Sequence, residues 1–306
     1  MSIWPRFVIP VAADSKSTLA NNSNAQVKGV SSLTATTGGA TAAPKKKKQP
    51  YPFWLGGTSR TMVCLLWLGI WADDPSEWTD PAVKGTTGIL ESATKFGGPQ
   101  LKRIAITSSC AAVSNHNSTG LLDESSFNEG NIIEIREKGR DAIQVRKYRI
   151  SKSLVEKTTW KYYQDHKSSI SWDLVVLNPP FVFGPILHKI TSASQLNTNL
   201  FGEWIDVRDV ALGHVRAIEV EEAGGSRFII SGGAFINQDF YDIVNELKIP
   251  GVDAPKGTPG KGKDFAYTIR YDVSKARKVL GIEFRDKTTT TTKDTIEDFK
   301  ARGWLN

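Results

Sequence analysis

The stretch KRIAITSSCAAV, residues 102–113, decides the fold of this chain. Its apolar run RIAI has the length of a strand, and the polar turn Thr107–Ser109 follows directly. A short and continuous apolar run suits a strand that is buried on both faces, as in a parallel sheet. Open parallel sheets bind their ligands near the carboxyl ends of the strands. The stretch therefore predicts a parallel sheet and places candidate site residues at its carboxyl edge.

Predicted strands and helices alternate on either side of this stretch. Upstream, the strand MVCLLWLGI at 62–70 precedes the helix DPAVKGTTGILESATKFG at 80–97. Downstream, a helix runs from about Tyr148 to His166, and the buried strand DLVVLNPPFVFGP follows at 173–185. The remaining predicted elements are a helix within 203–223, a strand at 227–233, a helix at 236–248, an extended segment at 268–273 and helices at 274–281 and 295–303. Such alternation predicts an α/β fold, with a mostly parallel sheet covered by helices.

The amino-terminal residues differ in composition from the rest of the chain. Residues 12–50 are rich in Ser, Thr, Asn, Ala and Gly, follow neither the helical nor the strand period, and end in a lysine run. Such a segment buries too little apolar surface to offset its ordering entropy. With residues 51–61 as a connector punctuated by Pro and Gly, we predict a low-complexity, disordered tail over 1–61. Residues 62–306 are predicted to be globular.

Charge and hydropathy exclude two classes of partner. The chain of 306 residues has a net charge of +7, and the lysine run Lys45–Lys48 supplies four of these charges. Because the rest is close to neutral, no nucleic-acid-binding face is indicated. The longest apolar run, residues 62–71, is far shorter than the ~20 residues of a membrane-spanning helix. The amino terminus lacks the basic-then-apolar order of a signal peptide. We expect neither a nucleic-acid nor a membrane partner.

The cysteines and histidines exclude further classes of site. Two cysteines, Cys64 and Cys110, are too few for a disulfide scaffold or a cysteine-built zinc site. The four histidines are scattered and show no ligand spacing. We therefore expect no metal, and a reduced, cytoplasmic protein.

The segment KYRISKSLVEKTTWKYY, residues 147–163, contains a candidate proton donor. Tyr148 and Lys152 are separated by one helical turn, so a helix places both on one face. Ser109 lies where the buried strand RIAI has just ended. Hydride delivery to a carbonyl builds negative charge on its oxygen, which must be protonated or hydrogen-bonded. These three side chains are therefore candidate catalytic residues for carbonyl reduction.

Each of the three residues has a role in this chemistry. A free phenol has a pKa of about 10, and a nearby ammonium lowers it by favouring the phenolate. Tyr148 would be the acid, Lys152 its tuning cation and a ligand of the cofactor ribose, and Ser109 the group that orients the carbonyl. The alternative is that Tyr148 and Lys152 are ordinary helix surface and that Ser108 and Ser109 only cap the next turn.

An ordered series of motifs resembles the extended short-chain dehydrogenase/reductases, within the NAD-dependent epimerase/dehydratase superfamily. The likeness is greatest to methylglyoxal/isovaleraldehyde reductases and dihydroflavonol reductases, and it covers roughly residues 62–300. The motifs are DPAVKGTTGILES (80–92), RIAITSSCAAV (103–113), LLDESSFNE (121–129), YRISKSLVEKTTW (148–160), LNPPFVFGP (177–185), LFGEWIDVRDVALGH (200–214), INQDFYDIVNEL (236–247) and SKARKVLGIEFR (274–285).

The resemblance implies an NADPH-dependent reductase of small carbonyl compounds. Its fold would be a Rossmann-like domain with a small carboxyl-terminal α/β substrate domain, whose segments interleave at about 186–200 and 235–306. The resemblance also implies that Val182 lies beside the nicotinamide end of the cofactor and that Pro179 shapes the same wall. Asn199 stands near the place where the family often has a serine against the cofactor. The alternative for these three residues is ordinary turn and packing chemistry.

The sequence departs from the family in two places. The family opens with a strand, the loop TGxxGxxG and a helix, which together bind the cofactor pyrophosphate. The nearest matches, TTGGATAAP at 36–44 and LGGTSR at 55–60, lack the later glycines. We therefore predict an incomplete, truncated doubly wound sheet in which the strand at 62–70 has an exposed edge. The second departure follows Asn199, where a further helix and loop of the family are absent.

Three hypotheses for function follow. The first is an NADPH-dependent reductase of aldehydes or ketones, with the absent glycine-rich loop as the argument for an inactive chain. The second is a non-catalytic remnant that interacts through its sheet edge or basic tail. The third is a nucleotide-sugar epimerase or dehydratase, against which DESSFNE at 123–129 and WIDVRDVALGH at 204–214 argue, because they match the aldehyde-reductase branch. The pattern specifies neither the carbonyl substrate nor an oligomeric state.

Overall fold

The computed structural model describes residues 53–56, 61–65, 73–115, 117–185, 202–252 and 254–304, with the backbone alone for 53–56, 61–65 and 287–289. The strands in these ranges are β1 Phe53–Gly56, β2 Thr61–Leu65, β3 Arg103–Thr107, β4 Gly120–Leu122, β5 Asp173–Asn178, β6 Phe181–Phe183, β7 Gly202–Asp206, β8 Ser226–Ile229, β9 Gly233–Phe235 and β10 Ile269–Tyr271. The α-helices are α1 Pro75–Phe96, α2 Glu129–Lys138, α3 Gln144–His166, α4 Val207–Glu219, α5 Asn237–Leu247 and α6 Lys293–Ala301. Short 3-10 turns lie at Cys110–Ala112, Gly139–Asp141 and Glu221–Ala223, and π-helical turns at Ala276–Leu280 and Lys287–Thr292.

The central sheet has the strand order β1-β2-β3-β5-β8. Strands β2, β3, β5 and β8 are parallel, and their register pairs Val63 with Ala105, Ala105 with Val175, and Val175 with Ser226. Parallel neighbours need crossover connections, which helices supply here. The predicted α/β class with a parallel sheet is therefore confirmed.

Apolar clusters cover both faces of this sheet. On one face, Leu174 and Val176 of β5 pack with residues of α1 and α3. On the other face, Val175 and Leu177 of the same strand pack with residues of α4 and of the Ala276–Leu280 turn. Each such side chain contributes about 1.5–3 kcal/mol when it is fully buried. Because successive residues of β5 are buried on opposite faces, its sequence is a continuous apolar run.

The outer edge of β2 is paired with β1. The two strands are antiparallel, with Phe53 opposite Leu65 and Gly56 opposite Met62. Over the described residues 62–65 the edge that we predicted to be exposed is therefore paired, whereas residues 66–70 lie outside the described residues. One strand, β1, lies inside the segment 1–61 that we predicted as a tail. The physical reason is that a hairpin provides backbone partners for N–H and C=O groups that an open edge leaves unpaired.

Two smaller sheets adjoin the central one. The strand β6 begins soon after β5 ends, and it forms a sheet of order β6-β7-β9, while β10 pairs with β4. The elements α5, β10 and α6 lie in the predicted substrate-domain segment 235–306. The other predicted segment, 186–200, lies outside the described residues. The carboxyl end of β5 is thus where the central sheet meets the second sheet.

Two helices begin earlier than the sequence predicted. Helix α1 begins at Pro75, because the Asp74 side chain accepts a hydrogen bond from the N–H of Ser76 at 2.9 Å and proline suits the first helical position. Helix α3 begins at Gln144, so that Tyr148 lies in its second turn rather than at its start. The amino-terminal ends of both helices therefore extend beyond the starts that their apolar periods indicate.

Candidate active site

The predicted serine lies just beyond the carboxyl end of β3. Ser109 caps the turn Cys110–Ala112, and its Oγ accepts a hydrogen bond from the N–H of Ala111 at 3.1 Å. The backbone N–H of the preceding residue, Ser108, donates to the carbonyl oxygen of Leu177 at 2.8 Å. The turn is therefore fastened to the end of β5, and the half-buried Ser109 lies at the edge of the sheet where the sequence predicted a site.

Ser109, Tyr148 and Lys152 lie together. The side chain of Ser109 lies close enough to the Tyr148 phenol to lower the pKa of Tyr148 by hydrogen bonding. The Nζ of Lys152 lies 5.8 Å from the centroid of the Tyr148 ring, and Lys152 is buried. The three side chains come from two elements, the turn after β3 and helix α3, as their spacing predicted. Their catalytic roles stay a prediction at this point.

The environment of Tyr148 favours its protonated form. Burial raises the pKa of Tyr148 above its ordinary value of 10.0, and the hydrogen bond from Ser109 and the charge of Arg149 oppose that rise. The lowering that we predicted from Lys152 is therefore not the dominant effect, because desolvation disfavours the phenolate more than the neighbouring cations favour it. At neutral pH the phenol is protonated, and this is the form that donates a proton to a carbonyl oxygen.

A second polar group borders Tyr148. Arg149 donates from Nη1 to the carbonyl oxygen of Ser114 at 2.9 Å, and the same nitrogen lies 3.3 Å from Oγ of Ser114. The hydroxyls of Ser114 and Tyr271 are 2.7 Å apart, and burial raises the pKa of Tyr271. These residues connect α3 to β10, and sequence reasoning missed them. The available signal was a charged residue immediately after the candidate acid.

The three residues assigned to a cofactor wall are only partly described. Pro179 is buried, and its carbonyl oxygen accepts a hydrogen bond from the N–H of Cys110 at 2.9 Å. Val182 lies in β6, and its side chain packs against the core cluster that contains Leu177. Asn199 lies outside the described residues. The cofactor contacts of all three residues stay predictions.

The described residues fit one end of a nicotinamide dinucleotide. Tyr148 and Lys152 offer a hydroxyl and a cation at the carboxyl edge, where such sheets bind their ligand. Beside β2, where the family's first strand is expected, β1 is antiparallel, and the connection from Gly56 to Thr61 joins two strands. A turn from a strand into a helix N-terminus supplies pyrophosphate donors, whereas the strands on either side of LGGTSR at 55–60 pair with each other; residues 57–60 lie outside the described residues. The match at 36–44 lies outside the described residues.

The described residues contain neither a metal cluster nor a membrane-spanning helix. Within the described ranges, no group of three or more His, Cys, Asp and Glu side chains is arranged to hold a metal ion. In that same part of the chain, no helix combines the length and the apolar character needed to cross a bilayer.

Comparison with known proteins identifies the family. No family model matches the chain. The NADPH-dependent methylglyoxal reductase GRE2 of Saccharomyces cerevisiae is 33% identical over 241 residues, which are 71% of this chain and 68% of that protein. The chain belongs to the extended short-chain dehydrogenase/reductases. The ketoreductase azaE of Aspergillus niger is 32% identical over 246 residues, covering 72% of this chain and 68% of that protein.

Solved structures of extended short-chain dehydrogenase/reductases agree with this assignment. Gre2 from Candida albicans aligns with a TM-score of 0.70 and 26% identity, over 80% of this chain and 77% of that one. Yeast methylglyoxal/isovaleraldehyde reductase Gre2, complexed with NADPH, aligns with a TM-score of 0.67 and 29% identity, over 79% and 77%. The predicted family and its Rossmann-like fold are therefore confirmed.

Proposed function

We propose that this chain reduces aldehydes or ketones by hydride transfer from NADPH, with Ser109, Tyr148 and Lys152 as the catalytic residues. The observation that carries the proposal is the placement of the Ser109 side chain beside the Tyr148 phenol, with Lys152 buried and its Nζ 5.8 Å from the centroid of the Tyr148 ring. The relatives support it, because GRE2 is named an NADPH-dependent methylglyoxal reductase and azaE a ketoreductase.

The proposed chemistry divides the work between the cofactor and the chain. When bound, the cofactor supplies a hydride to the carbonyl carbon. Tyr148 donates its phenol proton to the carbonyl oxygen, and the raised pKa keeps that proton available at neutral pH. Ser109 donates a hydrogen bond to the same oxygen and so stabilises the charge that develops there. Lys152 favours the phenolate that is left after proton transfer, since an opposite charge nearby stabilises an anion.

The chain also has to hold the cofactor. By family likeness, Lys152 and Tyr148 bind the ribose next to the nicotinamide, and Pro179 and Val182 form a wall beside it. At the phosphate end, the described strand beside β2 is antiparallel and is not followed by a glycine-rich turn into a helix. Cofactor affinity is therefore the property on which the activity of this chain depends.

The test is a titration of the full 306-residue chain with NADPH, followed by NADPH oxidation with methylglyoxal and other small aldehydes. Tyr148→Phe is expected to lower kcat by about 10²–10⁴-fold, because the proton donor is lost. Tyr162→Phe is the matched control, since Tyr162 lies on the same helix and its hydroxyl donates to Thr94 at 3.0 Å. Unchanged kcat in Tyr148→Phe would overturn the assignment of the acid.

The second candidate is a non-catalytic member of the family. The antiparallel β1, which takes the place of a phosphate-binding strand among the described residues, is the observation in its favour. It predicts that millimolar NADPH neither quenches the fluorescence of the full chain nor raises its melting temperature, although the chain unfolds cooperatively. Micromolar NADPH binding would exclude this candidate.

A further inference from the structure

A carboxylate is fully buried on α3, two helical turns beyond Tyr148. Glu156 follows Lys152 by one turn, so Tyr148, Lys152 and Glu156 share one face of the helix. Oε2 of Glu156 accepts hydrogen bonds from Oγ of Ser108 at 2.6 Å and from Nδ2 of Asn178 at 2.7 Å. Burial of a carboxylate is costly unless it is paired and hydrogen-bonded. The proton transfer proposed above does not use this group.

Arg227 supplies the opposite charge. Its Nε lies 2.7 Å from Oε1 of Glu156, and both side chains are buried. Nη1 of Arg227 donates to the carbonyl oxygens of Glu124 and Ser126, at 2.9 and 2.7 Å, and the guanidinium lies 3.9 Å from the centroid of the Phe127 ring. Contacts on the edge and on the face of a planar guanidinium fix its orientation. The charge of Arg227 therefore faces one oxygen of Glu156, and the other oxygen accepts from Ser108 and Asn178.

Glu156 connects α3 to the ends of neighbouring strands. Ser108 follows β3, Asn178 ends β5, and Arg227 lies in β8. Nδ2 of Asn178, which donates to Glu156, also donates to the carbonyl oxygen of Ser109 at 3.1 Å. Glu156 is therefore linked to Ser109 in two ways. It accepts a hydrogen bond from the preceding residue, Ser108, and it accepts one from the Asn178 amide that also donates to the Ser109 carbonyl oxygen.

We propose that Glu156 is a positioning residue for carbonyl reduction, which sets the Ser109 hydroxyl against the Tyr148 hydroxyl. The inference rests on the proposed function, because that function assigns both hydroxyls to the reacting carbonyl. Tyr148 and Glu156 belong to one helix, so a bond from Glu156 to the Ser109 turn fixes the separation of the two hydroxyls. Misplacement of a reacting group by about 1 Å costs about 10²-fold in rate. Glu156 itself touches neither substrate nor cofactor and acts through Ser109.

Glu156→Gln tests whether the negative charge of Glu156 is needed for the positioning of Ser109. The amide keeps the shape of the carboxylate, but one of its ends becomes a donor and must face either Arg227 or the donors of Ser108 and Asn178. One set of contacts is therefore lost, and the Arg227 charge is left without its partner. We expect kcat for a small aldehyde to fall by about tenfold or more, while KM for NADPH changes by less than about twofold.

Glu134→Gln is the matched control. Glu134 is also a buried carboxylate on a helix, and it pairs with Lys138 at 3.1 Å and with Arg146 rather than with the strand ends. We expect this variant to have a lower melting temperature and wild-type kcat. Equal losses of kcat in the two variants would mean that lost stability is the cause, and the proposal would be overturned. Wild-type kcat in Glu156→Gln would overturn it as well.

A double-mutant cycle determines whether Glu156 acts through Ser109. If Glu156 only positions the Ser109 hydroxyl, then Glu156→Gln has little further effect on kcat in a Ser109→Ala background. The same fold-loss in both backgrounds would show that the two residues act independently, against the proposal.

Crystal structures of the wild type and Glu156→Gln give a result that does not depend on activity. The separation of the Ser109 and Tyr148 hydroxyls is expected to increase by about 1 Å or more. An unchanged separation overturns the positioning role of Glu156. A wild-type chain that reduces no carbonyl overturns the proposed function instead, and the displacement of the Ser109 hydroxyl then remains the test of the positioning role. If Glu156→Gln does not fold, Ser108→Ala removes one donor and no charge, and the same displacement is expected.

Discussion

The indole of Trp78 meets the ring of Tyr148 edge-on, with centroids 6.5 Å apart and ring planes at 78°. Trp78 is buried in the first turns of α1, so a helix from an earlier part of the chain packs against the candidate acid. Edge-to-face aromatic pairs contribute about 0.5–1.5 kcal/mol beyond the burial of their area. The contact therefore restricts the orientation of the phenol ring beside Ser109.

Replacement of Trp78 is expected to affect both stability and catalysis. Trp78→Ala leaves a cavity against Tyr148, and we expect the free energy of unfolding to fall by about 3–5 kcal/mol. We also expect kcat to fall several-fold, because the phenol ring gains freedom. Urea unfolding and NADPH oxidation at low temperature measure the two effects.

The matched control for this prediction is Trp172→Ala. Trp172 is buried against Tyr163, with ring centroids 6.0 Å apart, and it precedes β5 at the amino edge of the sheet. Its loss is expected to cost similar stability and to leave kcat unchanged in the folded protein. Wild-type kcat in Trp78→Ala would contradict the positioning of the ring.

Loss of the Ser109 hydroxyl is expected to move the ionisation of Tyr148. Burial raises the pKa of Tyr148, whereas the hydrogen bond from Ser109 and the charge of Arg149 act in the opposite direction. Ser109→Ala therefore raises this pKa further, and the alkaline limb of the kcat/KM profile moves to higher pH. Ultraviolet titration measures the same pKa without substrate, as the difference between each protein and its Tyr148→Phe counterpart.

The control for this titration is Ser92→Ala. The Ser92 hydroxyl donates to the carbonyl oxygen of Gly88 at 2.7 Å within α1, and Ser92 is not one of the candidate site residues. The titration of Tyr148 is expected to be unchanged in this variant. A Ser109→Ala protein that titrates at or below the wild-type pH would contradict the prediction.

Local patterns were enough to predict the central parallel sheet and to single out Ser109, Tyr148 and Lys152 as candidate catalytic residues. The strands β3 and β5 are buried on both faces, so their residues form apolar runs that the sequence displays directly. Tyr148 and Lys152 share a helical face by spacing alone, and Ser109 follows a buried strand. In each case the property depends on neighbours within a few residues.

Contacts between distant segments could not be predicted in this way. Arg227 and Glu156 appear in the sequence as ordinary charged residues of a strand and a helix, and the fold buries them as an ion pair. Trp78 looks like one apolar residue of an amphipathic helix. The strand β1 has four residues, too few to establish a period. Tertiary packing determines these features, and local spacing does not encode it.

His214 is expected to make stability depend on pH. The carbonyl oxygen of Val210, 2.8 Å from Nδ1, only accepts, so Nδ1 carries the proton and Nε2 accepts from the hydroxyl of Thr107 at 2.5 Å. Burial lowers the pKa of His214 below its ordinary value of 6.5. As the pH falls, the unfolded chain therefore binds this proton first. The stabilising effect is complete above about pH 6.5 and is lost progressively below it.

His214→Gln removes the titrating group and keeps a side chain that hydrogen-bonds. We expect the free energy of unfolding of the wild type to decrease more steeply than that of the variant as the pH falls from neutral towards pH 5. Urea unfolding at a series of pH values measures both profiles. Parallel profiles would contradict a neutral, buried His214.

Arg103 and Asp173 join the amino ends of β3 and β5. They are paired in register, and the guanidinium contacts the carboxylate twice, from Nε to Oδ1 at 2.6 Å and from Nη2 to Oδ2 at 2.7 Å. Nη1 also donates to the carbonyl oxygen of Ala217 at 2.8 Å, and Nη2 to that of Glu221 at 2.9 Å. One buried side chain therefore holds the end of α4 and the following turn against the sheet.

Arg103→Met is expected to lower the free energy of unfolding by about 3 kcal/mol, because the carboxylate of Asp173 and several carbonyl oxygens lose their donor. Arg103→Lys is expected to recover little of this loss, since an ammonium cannot make the two-pronged contact. Lys84→Met is the control: the side chains of Lys84 and Asp80 are 79% and 59% exposed, and such pairs contribute about 0.5 kcal/mol or less. Urea unfolding measures all three variants, and kcat is expected to stay at the wild-type value because the pair lies at the edge opposite Ser109. Wild-type stability in Arg103→Lys would contradict the role of the two-pronged contact and would show that only the positive charge of Arg103 matters.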